Sequence, residues 1–161
     1  MAEQVDVQEW KPSSLNEVSV MVVDDDPLIT RLVTGALKAI GITKVYPMND
    51  PHQALDFIAE GLRGTDMILC DLMMPDVDGL TILGEVRKIK PDLPFLMLTA
   101  DGTSDSVRRA VELGVSSYMI KPFTIDDLQS KVLKTIIRTY GAEAGNCAKD
   151  DGNRPQETSW T

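Results

Sequence analysis

The chain has 161 residues, 43% of them hydrophobic, and carries 16 basic against 25 acidic side chains, for a net charge of −9. This length suffices for one hydrophobic core, so a second independent domain is not expected. The negative charge repels phosphate backbones and anionic headgroups, which predicts no nucleic-acid partner and no membrane partner. No apolar run approaches the roughly 20 residues of a membrane span, and the acidic start differs from a signal peptide. A cytoplasmic location is therefore predicted.

Cysteine and histidine are scarce, with two and one per chain. Cys70 lies in an apolar run and Cys147 in a polar stretch, so the two are not expected to pair, which suits a reducing compartment. Neither has a metal-type spacing, and His52 is predicted to be a surface residue. A zinc site is therefore not expected.

Short apolar runs alternate with segments of helical periodicity, a pattern typical of βαβ units around a buried parallel sheet. The apolar runs predict five strands, at Val18–Val23, Lys44–Pro47, Met67–Cys70, Phe95–Leu98 and Ser117–Ile120. The segments between and after them predict five helices, at Pro27–Ile40, Pro51–Ala59, Leu80–Ile89, Ser104–Leu113 and Ile125–Tyr140. Helices should cover both faces of the sheet.

Residues with special backbone preferences lie at the predicted helix ends. Pro27 and Pro51 suit first helical turns, and three glycines suit left-handed positions after helices. These glycines are Gly41, Gly61 and Gly114. Thr124 and Asp127 resemble a capping box at the start of the last helix. The local signals therefore agree with the periodicity.

The folded unit is predicted to span residues 18–140. Residues 1–17 form a polar lead that contains Trp10, and residues 141–161 form a polar tail without a repeating apolar face. Such a composition predicts a flexible tail, which is also too short for an effector domain.

Polar side chains follow four of the five predicted strands. They are Asp24, Asp25 and Asp26 after the first strand, Asp71 after the third, Thr99 after the fourth and Lys121 after the fifth. Parallel strands bring their C-terminal ends to one edge of the sheet, so these side chains should meet there. Clustered carboxylates repel one another, and a divalent cation would relieve that repulsion. All-oxygen ligation suits Mg²⁺, which serves phosphoryl transfer.

A carboxylate nucleophile beside such a cation can form an aspartyl phosphate. Lys121 and Thr99 would then be placed to hold the phosphoryl oxygens. Asp26, immediately before Pro27, is expected to cap the first helix. The predicted chemistry is phosphoryl acceptance.

Four stretches of the chain resemble the receiver domain of two-component response regulators. They are Val22–Pro27 (VVDDDP), Asp71–Gly79 (DLMMPDVDG), Leu98–Ala100 (LTA) and Ser117–Phe123 (SYMIKPF). The resemblance covers about Val18 to Tyr140. It implies a flavodoxin-like, doubly wound α/β fold with a five-stranded parallel sheet and five helices. It also implies a cis peptide bond between Lys121 and Pro122.

The resemblance assigns roles to individual residues. Asp71 matches the phosphoacceptor, and Asp24 and Asp25 match the acidic pair that holds Mg²⁺. Asp71 itself and the backbone carbonyl of Met73 would complete the protein ligands. The implied cofactor is therefore Mg²⁺.

Other matched positions concern the response to phosphorylation. Thr99 matches the hydroxyl that follows the phosphoryl group, and Lys121 the ammonium that pairs with it. Tyr118 matches an aromatic residue that moves inward on activation. Met73 and Asp101 match positions that tune dephosphorylation.

The resemblance implies a single-domain response regulator, a phosphoacceptor switch and not an enzyme in its own right. Its phosphoryl donor would be a sensor histidine kinase or a histidine phosphotransfer protein. Output would pass to a separate protein that binds the face formed by the fourth helix, fifth strand and fifth helix, including Arg108 and Arg109. A motility target, a relay protein and an enzyme regulated in trans all remain open, and a monomer or weak dimer is expected.

Three other functions fit the sequence less well. In a haloacid-dehalogenase-like phosphatase, Asp24 would be the nucleophile, but that family has Thr or Val where Leu28 stands and needs a later acidic motif. A receiver-fold binding module that is never phosphorylated would not need the complete acidic set. Flavin binding is disfavoured because the turn after the first strand is acidic.

Overall fold

The computed structural model describes residues 14–141. Five strands form, namely β1 (Ser19–Val23), β2 (Lys44–Met48), β3 (Met67–Asp71), β4 (Phe95–Thr99) and β5 (Ser117–Ile120). Five α-helices follow them in alternation, namely α1 (Pro27–Ala39), α2 (Pro51–Ala59), α3 (Gly79–Ile89), α4 (Ser104–Glu112) and α5 (Ile125–Tyr140). Every strand and helix predicted from the sequence is present, with bounds shifted by at most one residue.

The strands form one parallel sheet in the order β2-β1-β3-β4-β5. The flavodoxin-like, doubly wound fold is therefore confirmed. The three inner strands are buried along their whole length, which explains why they read as continuous apolar runs. β2 lies at an edge and is largely exposed, so it tolerates Pro47 without a lost hydrogen bond inside the sheet.

The sheet has a hydrophobic core on each face. Successive residues of a strand point to opposite faces, so β1 contributes Met21 and Val23 to one core and Val20 and Val22 to the other. One core is closed by α2, α3 and α4, and the other by α1 and α5. This double cover leaves the C-terminal edge of the strands as the place where polar side chains can gather.

The helix ends are formed as the sequence predicts. Pro27 and Pro51 occupy the first turns of α1 and α2, and the Oγ1 atom of Thr124 accepts a hydrogen bond from the Asp127 amide at the start of α5. The second residue after each of α1, α2 and α4 has a positive φ angle, of 102°, 105° and 85°, and these residues are Gly41, Gly61 and Gly114. Local chemistry therefore sets these element boundaries.

The folded unit begins before Val18. Residues Leu15–Glu17 form a 3-10 turn, and Leu15, which the sequence assigns to the polar lead, is buried in the core on the α1 and α5 face. Cys70 is a buried free thiol, whereas Trp10, Cys147 and most of the tail lie outside the described residues. Among residues 14–141, each helix is too short or too polar to cross a membrane.

Candidate functional site at the C-terminal edge of the sheet

Three carboxylates meet at the C-terminal ends of β1 and β3. These strands are paired with Val23 opposite Cys70, so the next residues, Asp24 and Asp71, come side by side. Asp25 joins them, and side-chain oxygens of the three aspartates lie within 4.8 Å of one another. Asp24 and Asp71 are buried, whereas Asp25 faces solvent. The convergence predicted from the strand ends is present.

The Lys121 side chain reaches the carboxylates from the end of the edge strand β5. Its Nζ atom lies 2.9 Å from Oδ2 of Asp24 and 3.3 Å from Oδ2 of Asp71. The lysine follows β5, and the Lys121–Pro122 peptide bond is cis, as the resemblance implies. Its ammonium group therefore offsets part of the repulsion between the two buried aspartates.

Burial and charge shift the pKa values of Asp71 and Lys121. Desolvation raises the pKa of Asp71, and the neighbouring charge of Asp24 raises it further, against the opposing effect of Lys121. Burial would lower the pKa of Lys121, but the hydrogen bond and charge of Asp24, together with Asp71, raise it overall. The site therefore holds one firmly protonated ammonium group and a surplus of carboxylate charge.

Asp26 has a different role from its two neighbours. Its Oδ1 atom accepts a hydrogen bond of 2.9 Å from the Leu28 amide and caps α1, as predicted. Its own amide donates to Oδ1 of Asp24 at 2.9 Å. Asp26 therefore orients Asp24 while its carboxylate serves the helix end.

The loop after β3 passes close to Asp71. The Met73 amide donates to Oδ1 of Asp71 at 3.3 Å, while the Met73 side chain is exposed. At the start of α3, the Gly79 amide donates to the Leu72 carbonyl at 2.8 Å. A Cβ atom at Gly79 would collide with the Asp71 backbone carbonyl, so a side chain at this position would force the loop to shift.

Hydrogen bonds connect Thr99, Asp101 and Tyr118 on the other side of the site. The buried Thr99 accepts from the Asp101 amide through Oγ1 at 3.1 Å. The carboxylate of Asp101 accepts from Ser106 Oγ at 2.7 Å and from the Thr103 amide at 3.0 Å. The Tyr118 hydroxyl donates to the Asp101 carbonyl at 2.7 Å. The Tyr118 ring is thus tied to the loop that follows Thr99.

The predicted residues therefore fall into two groups. Asp24, Asp25, Asp71 and Lys121 form one charged cluster. The remaining positions surround it on the strand ends and loops, and they are Met73, Thr99, Asp101 and Tyr118. Of the two predicted output-face arginines, Arg109 lines a cleft with Met73 and Asp101, and Arg108 pairs with Asp105 within α4.

One residue of the site was not predicted from the sequence. Asn49 follows β2 directly, and its Nδ2 atom donates to the Asp24 backbone carbonyl at 2.9 Å and to Thr30 Oγ1 at 3.0 Å. The signal was available, because Asn49 is a polar residue at the C-terminal end of a parallel strand. The same argument that selected the other four strand ends applies to β2.

The donor set of the cluster fits a hard divalent cation. Its side-chain ligands are carboxylate oxygens, which suit Mg²⁺ and not a thiol-binding metal. Cys70 adjoins Asp71, but burial raises the pKa of its thiol well above the usual range, and its Sγ atom donates to the Asp71 carbonyl. The residues present therefore match the predicted magnesium site.

Comparison with known proteins identifies, over most of the chain, the same family that the sequence motifs resemble. The sequence model of the response regulator receiver domain matches residues 20–133. Over 129 residues, the chain is 30% identical to the transcriptional regulatory protein ZraR of Escherichia coli K12, a match that covers 80% of this chain and 29% of that protein. ZraR of Klebsiella oxytoca is 31% identical over 128 residues, 80% of this chain and 28% of that one. The chain therefore spans less than a third of the length of these relatives.

Solved structures agree with this match. A response regulator receiver domain protein from Clostridium thermocellum superposes with a TM-score of 0.69 at 28% identity, covering 75% of this chain and 95% of that one. The chemotaxis protein CheY4 of Vibrio cholerae superposes with a TM-score of 0.62 at 26% identity, covering 76% and 98%.

Proposed function

This chain belongs to the response regulator receiver domain family, and we propose that it accepts a phosphoryl group on Asp71 in a Mg²⁺-dependent reaction. The donor would be the phosphohistidine of a sensor histidine kinase or of a histidine phosphotransfer protein. The observation that carries the proposal is the cluster itself, in which Asp71 lies within 4.8 Å of two other carboxylates and 3.3 Å from an ammonium group.

Each residue of the cluster has a distinct part in the proposed transfer. A carboxylate oxygen of Asp71 forms the new bond to phosphorus, while the bond from phosphorus to the donor nitrogen breaks. Asp24, Asp25, Asp71 and the Met73 carbonyl would hold Mg²⁺, which neutralises charge on the transferring phosphoryl group when bound. The Lys121 ammonium is close enough to Asp71 to pair with phosphoryl oxygens.

Lys121 and a bound cation would both support the reactive form of Asp71. Only the ionised carboxylate is a nucleophile, and burial disfavours that form. Lys121 opposes this effect by favouring the charged state, and a bound cation would do the same. Lys121 therefore serves the acceptor before transfer and the phosphoryl group afterwards.

The signal is proposed to leave through the loop after β4. Phosphorylation adds charge and acceptor oxygens beside Thr99, and Thr99 is joined through Asp101 to the Tyr118 hydroxyl. Movement of this loop would change the face formed by α4, β5 and α5. We propose that a separate output protein binds that face. We also propose that the chain acts as a switch and not as an enzyme with turnover, and that it does so in the cytoplasm.

The test is the intact mass of the protein after incubation with acetyl phosphate, with and without Mg²⁺. Wild type should gain one phosphoryl group only when Mg²⁺ is present, and alkali should remove it. Acetate is the leaving group in this reaction. Wild-type mass is measured from the earliest times after mixing. If folded wild type gains no mass, the proposal is contradicted and the binding module that is never phosphorylated is favoured.

Two variants identify the acceptor. Asp71→Asn should gain no mass, because the amide is not a nucleophile. If the label persists in Asp71→Asn and disappears in Asp24→Asn, Asp24 is the nucleophile, as the phosphatase reading requires. Lys121→Met should be labelled more slowly while Asp71 remains the acceptor.

A further inference from the structure

Asn49 lies at the junction of three elements beside the acidic cluster. It follows the edge strand β2, and its amide group reaches across to the loop between β1 and α1. Nδ2 donates to the Asp24 carbonyl at 2.9 Å and to Oγ1 of Thr30 in α1 at 3.0 Å. One side-chain amide thus joins the end of β2, the acidic loop and the first turns of α1.

Both polar groups of the Asp24 backbone form hydrogen bonds with residues at the C-terminal end of β2. The Asp24 amide donates to the Met48 carbonyl at 3.1 Å, and the Asp24 carbonyl accepts from Asn49. That carbonyl lies in the same rigid peptide plane as the amide nitrogen of Asp25. Its orientation therefore influences where the Asp25 side chain points.

Thr30 gives the Asn49 amide a fixed second anchor. Thr30 is buried, and its hydroxyl donates to the Pro27 carbonyl at 3.1 Å. Because that proton is already engaged, the hydroxyl oxygen is oriented to accept from Asn49. The amide is therefore held at both of its acceptors, and the loop is braced against α1.

We propose that Asn49 is a positioning residue that holds Asp24 and Asp25 in the arrangement that binds Mg²⁺. This inference rests on the proposed function, because it concerns the affinity of the same cation site. Repulsion among the carboxylates pushes the solvent-facing Asp25 away from the two buried aspartates. The hydrogen bond from Asn49 to the peptide plane opposes that movement before any cation arrives.

The test is the dissociation constant of Mg²⁺, measured by isothermal titration calorimetry. Asn49→Ala should bind Mg²⁺ about tenfold more weakly than wild type, the loss expected when a group that orients metal ligands is removed. Asn16→Ala makes the same change in the 3-10 turn Leu15–Glu17, before β1, and should leave the affinity unchanged. Thr30→Val should weaken binding less, because it removes only the second anchor.

The double variant Asn49→Ala/Thr30→Val distinguishes coupling from independent effects. If Thr30 acts through Asn49, the double variant should bind Mg²⁺ no more weakly than Asn49→Ala alone. Fully additive losses would overturn the role assigned to the Asn49 and Thr30 contact.

A second readout separates positioning from general damage to the fold. At saturating Mg²⁺, labelling of Asn49→Ala by acetyl phosphate should reach the wild-type rate, and its melting temperature in EDTA should fall only by the few degrees expected for the loss of two hydrogen bonds. An unchanged Mg²⁺ affinity, or a labelling rate that excess Mg²⁺ does not restore, would overturn the inference. Wild type is titrated first, since a failure of wild type to bind Mg²⁺ would overturn the proposed cation site itself.

Discussion

Asp71 is buried between a carboxylate of like charge and an ammonium group. Desolvation and the charge of Asp24 raise its pKa, and Lys121 and the Met73 amide only partly compensate. The folded protein therefore holds its proposed acceptor in an environment that disfavours the charged form. The same environment makes the residue responsive to any cation or phosphoryl group that changes the local charge.

This balance makes Asp71 a source of instability in the absence of metal. Because the pKa of Asp71 in the folded state lies above its ordinary value of 3.8, the folded state binds more protons than the unfolded state between those two values. Stability then falls as pH rises through that window and stays lower above it. In EDTA at neutral pH, Asp71→Asn should therefore be more stable than wild type, with a melting temperature higher by a few degrees.

Urea denaturation in EDTA at neutral and at acidic pH checks the sign of this stability difference and the pH range over which it appears. The advantage of Asp71→Asn should shrink as the pH falls towards the unfolded pKa, where wild-type Asp71 is also protonated. Asp25→Asn, at the exposed position of the cluster, is the matched control and should show a smaller gain. An Asp71→Asn variant less stable than wild type at neutral pH would contradict the electrostatic account.

The start of α3 shows how tightly the acceptor loop is packed. Gly79 avoids a steric clash, because a Cβ atom there would lie 2.9 Å from both Cα of Leu72 and Sδ of Met97. The contact with the Asp71 carbonyl would be closer still. The position of α3 therefore depends on the absence of a side chain at its first residue.

Gly79→Ala should lower the free energy of unfolding by about 1–3 kcal/mol, since backbone or core atoms must shift to admit the methyl group. Gly84 lies in the same helix with no atom within 4 Å of its Cβ position, so Gly84→Ala should be neutral or stabilising by about 0.5–1 kcal/mol. Urea denaturation of the two variants gives the comparison, and equal effects at the two positions would rule out the steric explanation.

Element boundaries show where local signals suffice and where they do not. The helix ends follow from prolines, capping side chains and glycines, each of which acts within a few residues. β3 and β4 each extend one residue further than the apolar runs predict, to Asp71 and Thr99. These polar residues still pair with neighbouring strands, opposite Leu98 and Ile120 respectively, and only the sheet register reveals this.

The chain carries a net charge of −9, and three of its carboxylates cluster at one edge of the sheet. The cluster exists only in the folded state, because its members are brought together by β1 and β3. A cation that binds it therefore stabilises the folded chain relative to the unfolded chain.

Mg²⁺ at ten times its dissociation constant should raise the stability by roughly 1.4 kcal/mol, which corresponds to a rise in melting temperature of about 5 °C. NaCl at matched ionic strength is the control, because general screening also reduces repulsion in an acidic protein. Asp24→Asn should lose most of the Mg²⁺ effect. A melting temperature that responds equally to both salts would argue against a specific magnesium site.

The amino-acid sequence was sufficient to predict the alternation of strands and helices, the fold class, the helix caps and the edge at which the acidic residues meet. These features depend on periodicity, on short-range backbone chemistry and on the rule that parallel strands end together. Three findings required the folded structure, namely that Leu15 belongs to the core, that Lys121 pairs with Asp24 as well as Asp71, and that Asn49 donates to the Asp24 carbonyl. Such contacts join residues far apart in the chain, so they depend on sheet register and helix packing, which no local pattern encodes.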